Sequence, residues 1–486
     1  MNAPRVPLRL LLVGLAVLLA IPACTAEPAI TPAGPTELPP EHTTAIPTAP
    51  DPAPIGVSTA LMPTRLAADL TPGRALADPA LLQPANLAYL GAFRLPLPAG
   101  SSSSSWEYSG QALAYFPAGD PAGAADGFPG SLFGTGNDQQ LLVSEISIPA
   151  PVISKNLAEL NTATTLQAFT DITGGLFNLA SMDLPIADLA YLPPLNGSGA
   201  GRLHFVFGQH FQEFEPSHGW HSLDLSRLEA AGPWILDGYT NYVTSDYLFE
   251  IPADWSRTVL PGQRLATGRF REGIWGGCGP ALFAYNPGDE LNPPAAGAAI
   301  TEVTPLLLYG AQEPGLPDIL TAADRCLSDY QAADHWSGGA WLSASDKSAV
   351  VLLGTKALGN AWYGFANGVV WDYDCADHTP PTCPEVPAWP NENRGYWAQD
   401  YQAQLIFFSP ADLAAVARGE RQTWEIQPYA TLILDETLFD PQINPGSYKR
   451  DLVGAIAFDR EHGWLYLMEL LADGSQPLIH VWAVTE

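Results

Sequence analysis

The chain has 486 residues, 10% of them aromatic, and a formal net charge of −30, from 51 acidic against 21 basic residues. That balance excludes nucleic acid and other polyanions as partners, because holding them depends on clustered Lys and Arg. Neutral and cationic partners stay open. A chain this long needs either several cores or a repeat architecture.

The first residues, "MNAPRVPLRLLLVGLAVLLAIPACTAEP", put Arg5 and Arg9 ahead of an apolar run from Leu10 to Ile21. About 12 apolar residues is signal-peptide length and well short of a spanning helix. The run ends in "IPAC", which resembles the lipobox of bacterial lipoproteins, with a small residue before the cysteine. The resemblance implies that residues 1–24 are a leader and that Cys24 is the lipidated N-terminus of the mature chain. Pro22 is untypical of a lipobox and leaves ordinary cleavage near Ala26 open. Either way the protein is expected to be exported. It would sit at the cell envelope or cell surface on its N-terminal lipid alone, or be secreted if the lipobox is unused.

Residues 25–81 are rich in Pro, Ala and Thr without apolar periodicity, as in "EPAITPAGPTELPPEHTTAIPTAPDPAPIG". Such a segment buries too little to offset its ordering entropy and reads as a disordered tether. No later run of about 18 apolar residues follows, so no further spanning helix is expected. With Cys24 set aside, Cys278, Cys326, Cys375 and Cys383 remain, an even number suited to an oxidising compartment. Four cysteines allow three pairings. The short "CADHTPPTC" loop favours Cys375–Cys383, which leaves Cys278–Cys326.

Residues 82–486 carry a repeat. "GQALAYFP" (110–117) opens the first unit, with "GSLFGTG", "LLVSEISIP" and a polar fourth segment within 148–172. "IADLAYLP" (186–193) opens the second, followed by "GRLHFVFG", "HSLDLS" and "LSRLEAAGPWILDGY". "GPALFAYNP" (279–287) reads as the start of a third, while "EIPADWSRTVLPGQRLATGRF" (250–270) looks like a third-to-fourth pair lacking its first two strands. "GGAWLSA" (338–344) opens the fourth, with "AVVLLGT", "QLIFFSP" and "SPADLAAVARGERQTWEIQ". "VGAIAFD" (453–459) opens the fifth, with "GWLYLMEL" and "PLIHVWAV". Short antiparallel strands in fours, with small residues on the first, resemble a β-propeller, although no WD or kelch signature is present. The resemblance implies an all-β ring of four-stranded blades. Five repeats are visible, and six or seven blades with obscure members are compatible with the long spacing; a β-sandwich or two-domain β protein is the competing architecture. "LAYLGAFRLP" (87–96) is expected to close the ring as the outer strand of the last blade, which otherwise ends one strand short.

In a propeller, loops joining second to third strands share one end with loops leading into the innermost strands. Elaboration is therefore expected around one mouth of the channel, where binding and catalysis usually sit. One such loop, "GQHFQEFEPSHGWHSLDLS" (208–226), gathers His210, His218 and His221 with Glu213, Glu215 and Asp224. Imidazoles and carboxylates suit Zn²⁺ if three or four converge. The alternative is solvated side chains, with His221 packing beneath Trp220 in a strand. In "WDYDCADH" (371–378), Asp372, Asp374 and Asp377 are oxygen donors suited to Ca²⁺, although the EF-hand pattern is not met. The long insertion in the fourth unit, residues 354–403, carries Trp362, Tyr363, Phe365, Trp371, Trp389, Tyr396 and Trp397 among Asn360, Asn367, Asn391, Asn393 and Arg394. Flat rings beside amides suit sugar recognition; equally, a loop this long needs a small core of its own.

"HExxH", "GxSxG" and phosphate-cradling glycine motifs are absent. The expectation is an envelope lipoprotein binding an extracellular ligand, best a glycan, through His210, Glu213, His218, Trp220, His221, Trp362, Trp371 and Trp397. Two alternatives stand beside it. One is a polysaccharide-directed hydrolase or lyase with a histidine or metal at the same mouth, and the other a protein-interaction scaffold. Whether the protein is an enzyme stays open.

Overall fold

The computed structural model describes residues 81–97, 104–138, 142–175, 186–194, 200–207, 214–271, 277–312, 319–320, 323–372, 375–389, 391–444 and 449–486. The leader, Cys24 and the tether up to residue 80 lie outside them, as do His210, Glu213 and Asp374.

A first strand, β1 (Leu87–Arg94), precedes the blades. Blade one is β2 (Leu113–Phe116), β3 (Ser131–Thr135), β4 (Val143–Ser147) and β5 (Thr165–Thr170). Blade two is β6 (Ile186–Leu192), β7 (Arg202–Phe207), β8 (His218–His221) and β9 (Ala230–Leu236). Blade three holds β10 (Tyr247–Glu250), β11 (Leu265–Arg269) and β12 (Ala281–Tyr285). The short β13 (Ala299–Ile300) then runs parallel to β9, and β14 (Val303–Leu307) completes blade three. A small hairpin, β15 (Ala311–Gln312) with β16 (Ile319–Leu320), leads to blade four: β17 (His335–Ala344), β18 (Lys347–Gly364), β19 (Gly395–Phe408) and β20 (Ala430–Ile433). Blade five is β21 (Val453–Asp459), β22 (Trp464–Asp473) and β23 (Gln476–Val484), with β1 paired to β23 as its fourth strand.

The innermost strands form a closed ring: β2 packs on β6 and β21, β6 on β10, β10 on β17, and β17 on β21. The architecture is a five-bladed β-propeller closed by its N-terminal strand, as the placement of residues 87–96 anticipated.

Each blade is sandwiched between two others, so successive residues of a strand bury themselves in two different cores. Leu113 and Tyr115 enter the core shared with blade five, whereas Ala112 and Ala114 enter the one shared with blade two. Five such cores fill the five interfaces. This is why the strands read as near-continuous apolar runs instead of alternating with polar residues. It also explains the one misplaced unit. "GPALFAYNP" has the look of an innermost strand, but its Ala281–Tyr285 is the third strand of blade three. All five residues are buried, as in any strand pressed between two blades. The innermost strand there is β10, which carries "LFEIP" with only modest alternation of small and large residues.

Near the axis the innermost strands are stitched together. Asp188 is fully buried; Oδ1 accepts from the backbone N–H of Leu113 (3.2 Å) and Leu189 (2.8 Å), and Oδ2 from Leu248 (2.8 Å). One carboxylate thus ties blades one, two and three. Ser337 Oγ donates to the carbonyls of Val453 and Gly454, joining blades four and five, and the Ala455 N–H donates to Gly110 O (2.8 Å), joining five and one. The approach at Gly454 requires glycine, since a Cβ there would lie 2.1 Å from the Gly110 oxygen.

Both expected disulfides form, Cys278–Cys326 and Cys375–Cys383. The first anchors the segment leading into blade four onto blade three.

Candidate functional site at the upper mouth

The end of the ring at which the chain enters each innermost strand is called upper here. Three elements meet there: the loop after β11, the segments leading into β17 and β21, and the blade-four insertion. The insertion is not a free loop. β18 and β19 continue as a ribbon beyond the blade, paired out to Gly364 with Gly395.

The ribbon supplies its own packing. Trp362 Nε1 donates to Phe365 O (3.1 Å), Phe365 is buried edge-on to Trp371, and Tyr363 meets Tyr396 edge-to-face at 5.0 Å. The Arg394 guanidinium lies 4.2 Å from the Trp371 ring centre, and that of Arg450 lies 4.9 Å from buried Trp397. Trp362, Trp371 and Trp397 therefore act mainly as the small core a long insertion needs. Trp389 differs. It is 73% exposed.

Trp389 and Asn393 form one side of a groove of about 190 Å³. Ser109, Gln111 and Asp138 of blade one face them, with Arg450 and Asp451 of blade five alongside. Asp451 also holds a histidine that sequence reasoning passed over: His335 Nδ1 lies 2.6 Å from its Oδ1. His335 begins β17, and its ring packs edge-on against Phe270 at 4.5 Å. The pair is partly exposed, at 32% for the His335 side chain and 22% for that of Asp451. With Nδ1–H donated to the carboxylate, Nε2 is the basic nitrogen, the arrangement required of a general base held by a carboxylate. The available signal was position: "AADHWSGG" is one of the segments that must reach this mouth.

The histidine-rich stretch is built otherwise. His218 and His221 lie within β8, not in a loop, and both are buried. Separated by three positions, they leave the strand on opposite faces. His218 points at blade three, with Nε2 3.3 Å from Thr267 Oγ1, Nδ1 2.9 Å from Ser217 Oγ and its ring edge-on to Tyr285. Burial pushes its pKa down to about 3. His221 instead donates from Nδ1 to Ser222 O (2.7 Å), and burial lowers its pKa against the pull of that bond and of Asp171, on the blade-one side. One ion cannot be shared by the two. Trp220 is buried in the core between blades two and three, beneath the Arg202 guanidinium at 4.6 Å, and is not presented to a ligand. Asp372 and Asp377 are exposed; Asp372 faces His378 at 3.9 Å. Among the described residues, no group of three or more His, Cys, Asp or Glu could hold a metal ion.

No family model matches this chain, and no curated protein matches it. Among solved structures it is similar to one described as "Structure of Dos1 propeller", at 9% identity over 80% of this chain and 71% of that one, with a TM-score of 0.26. It is also similar to a "Crystal structure of glucose dehydrogenase", at 10% identity over 81% of this chain and 98% of that one, TM-score 0.26. At these scores neither carries an argument about function. The five-bladed ring rests on its own strand pairing.

Proposed function

We propose that this protein is an envelope-exposed binding protein that recognises a saccharide in the groove at the upper mouth of its propeller. The observation that carries the reading is Trp389, exposed over a groove whose other walls combine amide, hydroxyl, carboxylate and cationic groups with Tyr108, Leu470 and Leu471. A pyranose has an apolar C–H face and a rim of hydroxyls. The indole takes the first, and Asn393, Gln111 and Asp138 take the second. Export and lipid attachment belong to the same proposal; they draw on the leader-like start and on two disulfides compatible with an extracellular protein.

The test is an array of immobilised oligosaccharides probed with labelled full-length protein. Wild type is expected to bind a restricted set. Trp389→Ala should weaken binding to that set at least tenfold, on the order of 1.4 kcal/mol or more. Because Trp389 is exposed, the substitution should leave stability unchanged within about 0.5 kcal/mol. Binding that survives Trp389→Ala at full strength would place the ligand elsewhere.

A second reading has one observation of its own, the His335–Asp451 pair at the edge of the same groove. In it the bound saccharide is cleaved, with Nε2 as the base. Incubating the array's best oligosaccharide with wild type and with His335→Gln decides this: cleavage by wild type that falls on substitution supports an enzyme, and intact oligosaccharide from wild type leaves a binding protein.

A further inference from the structure

A second concavity lies at the other end of the ring, where the chain leaves each innermost strand. It has a volume of about 580 Å³, within the range of small-molecule sites. Residues 113–115, 189–191, 248–250, 339–341 and 456–458, one segment from each blade, form its wall. The segments can be aligned. "LAY", "LAY", "LFE", "GAW" and "IAF" put Tyr115, Tyr191, Trp341 and Phe458 at one position, and Glu250 at the same position in blade three. Four blades thus place an aromatic where the fifth places a carboxylate.

Ring packing does not ask for that exception. The four aromatics each turn into the core shared with the preceding blade. A partly exposed carboxylate adds little to such a core. Glu250 is met from across the mouth by Arg460 of blade five, at 3.6 Å. The Arg460 side chain spans blade four to reach it, donating on the way to Trp341 O (3.3 Å) and Ser343 Oγ (3.2 Å). Arg460 can leave Glu250 and keep both acceptors. Asp254 and Glu461 stand at the same rim, so with Glu250 and Asp459 the cavity is lined by four acids and one base, Arg460; Asp254 is paired with Arg257, and the Arg264 charge also acts on Glu250. Asp459 is occupied by His462 and by the N–H groups of Glu461 and His462.

The geometry points to this cavity as a binding site for an organic cation, a protonated amine whose apolar body enters the channel while its ammonium replaces Arg460 on the Glu250 carboxylate. The wall of Leu113, Ala114, Leu189, Ala190 and Ala457 takes the body, and the acidic rim draws the cation in. This site is separate from the upper groove and does not depend on what binds there.

The experiment is calorimetric titration of the full chain at neutral pH and low salt with three near-isosteric probes: 3-phenylpropylamine, 3-phenylpropanol and 3-phenylpropionate. The amine is expected to bind at least tenfold more tightly than the alcohol, and the acid more weakly still. Glu250→Gln should bring the amine down to the alcohol's affinity, Arg460→Gln should keep or tighten it, and Trp389→Ala should leave it unchanged. Equal binding of amine and alcohol, tightest binding of the acid, or no binding of any probe at millimolar concentration would each overturn the proposal. The wild-type series decides it even if a variant fails to fold.

Discussion

Replacing Asp188 with alanine is expected to lower the unfolding free energy by about 3–5 kcal/mol, among the largest effects a single substitution has. The side chain is fully buried and accepts from three backbone N–H groups belonging to two other innermost strands and its own. Its removal leaves those donors without partners where water does not reach, at about 1–3 kcal/mol each before relaxation. Asp188→Asn, which keeps one oxygen acceptor, should cost less. Burial pushes the Asp188 carboxyl well above the usual range, with the N–H bonds from Leu248, Leu189 and Leu113 opposing it. A carboxyl raised in the fold contributes stability that is fully present below its unfolded pKa and is lost as pH rises through the folded one. The wild type's margin over Asp188→Asn should therefore narrow from acid toward alkaline pH. Urea denaturation at several pH values measures both effects. A margin that widens instead would mean the carboxylate is held ionised.

The second large effect is expected at Glu469, in the blade that closes the ring. Its carboxylate and His480 are both fully buried, 2.8 Å apart, and it also accepts from the N–H groups of Phe439 (2.8 Å) and Asp440 (2.6 Å). His480 Nδ1 meets the Tyr89 hydroxyl of β1 at 2.9 Å, so the chain of bonds runs from β22 through β23 to the N-terminal closing strand. Burial pushes the Glu469 carboxyl up. The bonds and charge of His480, with those of Phe439 and Asp440, outweigh it and hold the pKa below the usual value. Here the sign is reversed: the contribution is present above the unfolded pKa near 4.5 and lost as pH falls through the lowered one. Glu469→Ala should cost about 3–5 kcal/mol at pH 7, as breaking a buried pair does. The difference from wild type should shrink below pH 4. The same denaturation series reads it. A cost under 1 kcal/mol at pH 7 would show that the closure does not depend on this network.

The ring was legible because its signal is repeated. Four of the five innermost strands, and the closing role of residues 87–96, stand in the sequence as short apolar runs beside turn residues. Blade three was not, since β10 carries Phe249 and Glu250 where the other innermost strands have a small residue and an aromatic. The end of the ring that gathers the insertion and the segment holding His335 was also readable, because strand order alone sets which loops share a face. The residues that meet there were not. His335 and Asp451 are far apart in the chain, each unremarkable in its own segment, and only the ring brings them to 2.6 Å. Conversely His218 and His221 looked like a cluster because they are neighbours in sequence; the two-residue period of a strand sends them into different interfaces. The lower cavity is likewise a property of five strands together, visible once "LFE" is set beside its four counterparts.

The proposed saccharide site at the upper groove depends on Trp389. The most direct measurement is calorimetric titration of full-length wild type and Trp389→Ala with the best oligosaccharide from the array, each protein first shown to melt at the same temperature. Saturable one-to-one binding by wild type and at least tenfold weaker binding by the variant are expected. Equal affinities for the two proteins, or no heat from wild type with any oligosaccharide, would contradict it.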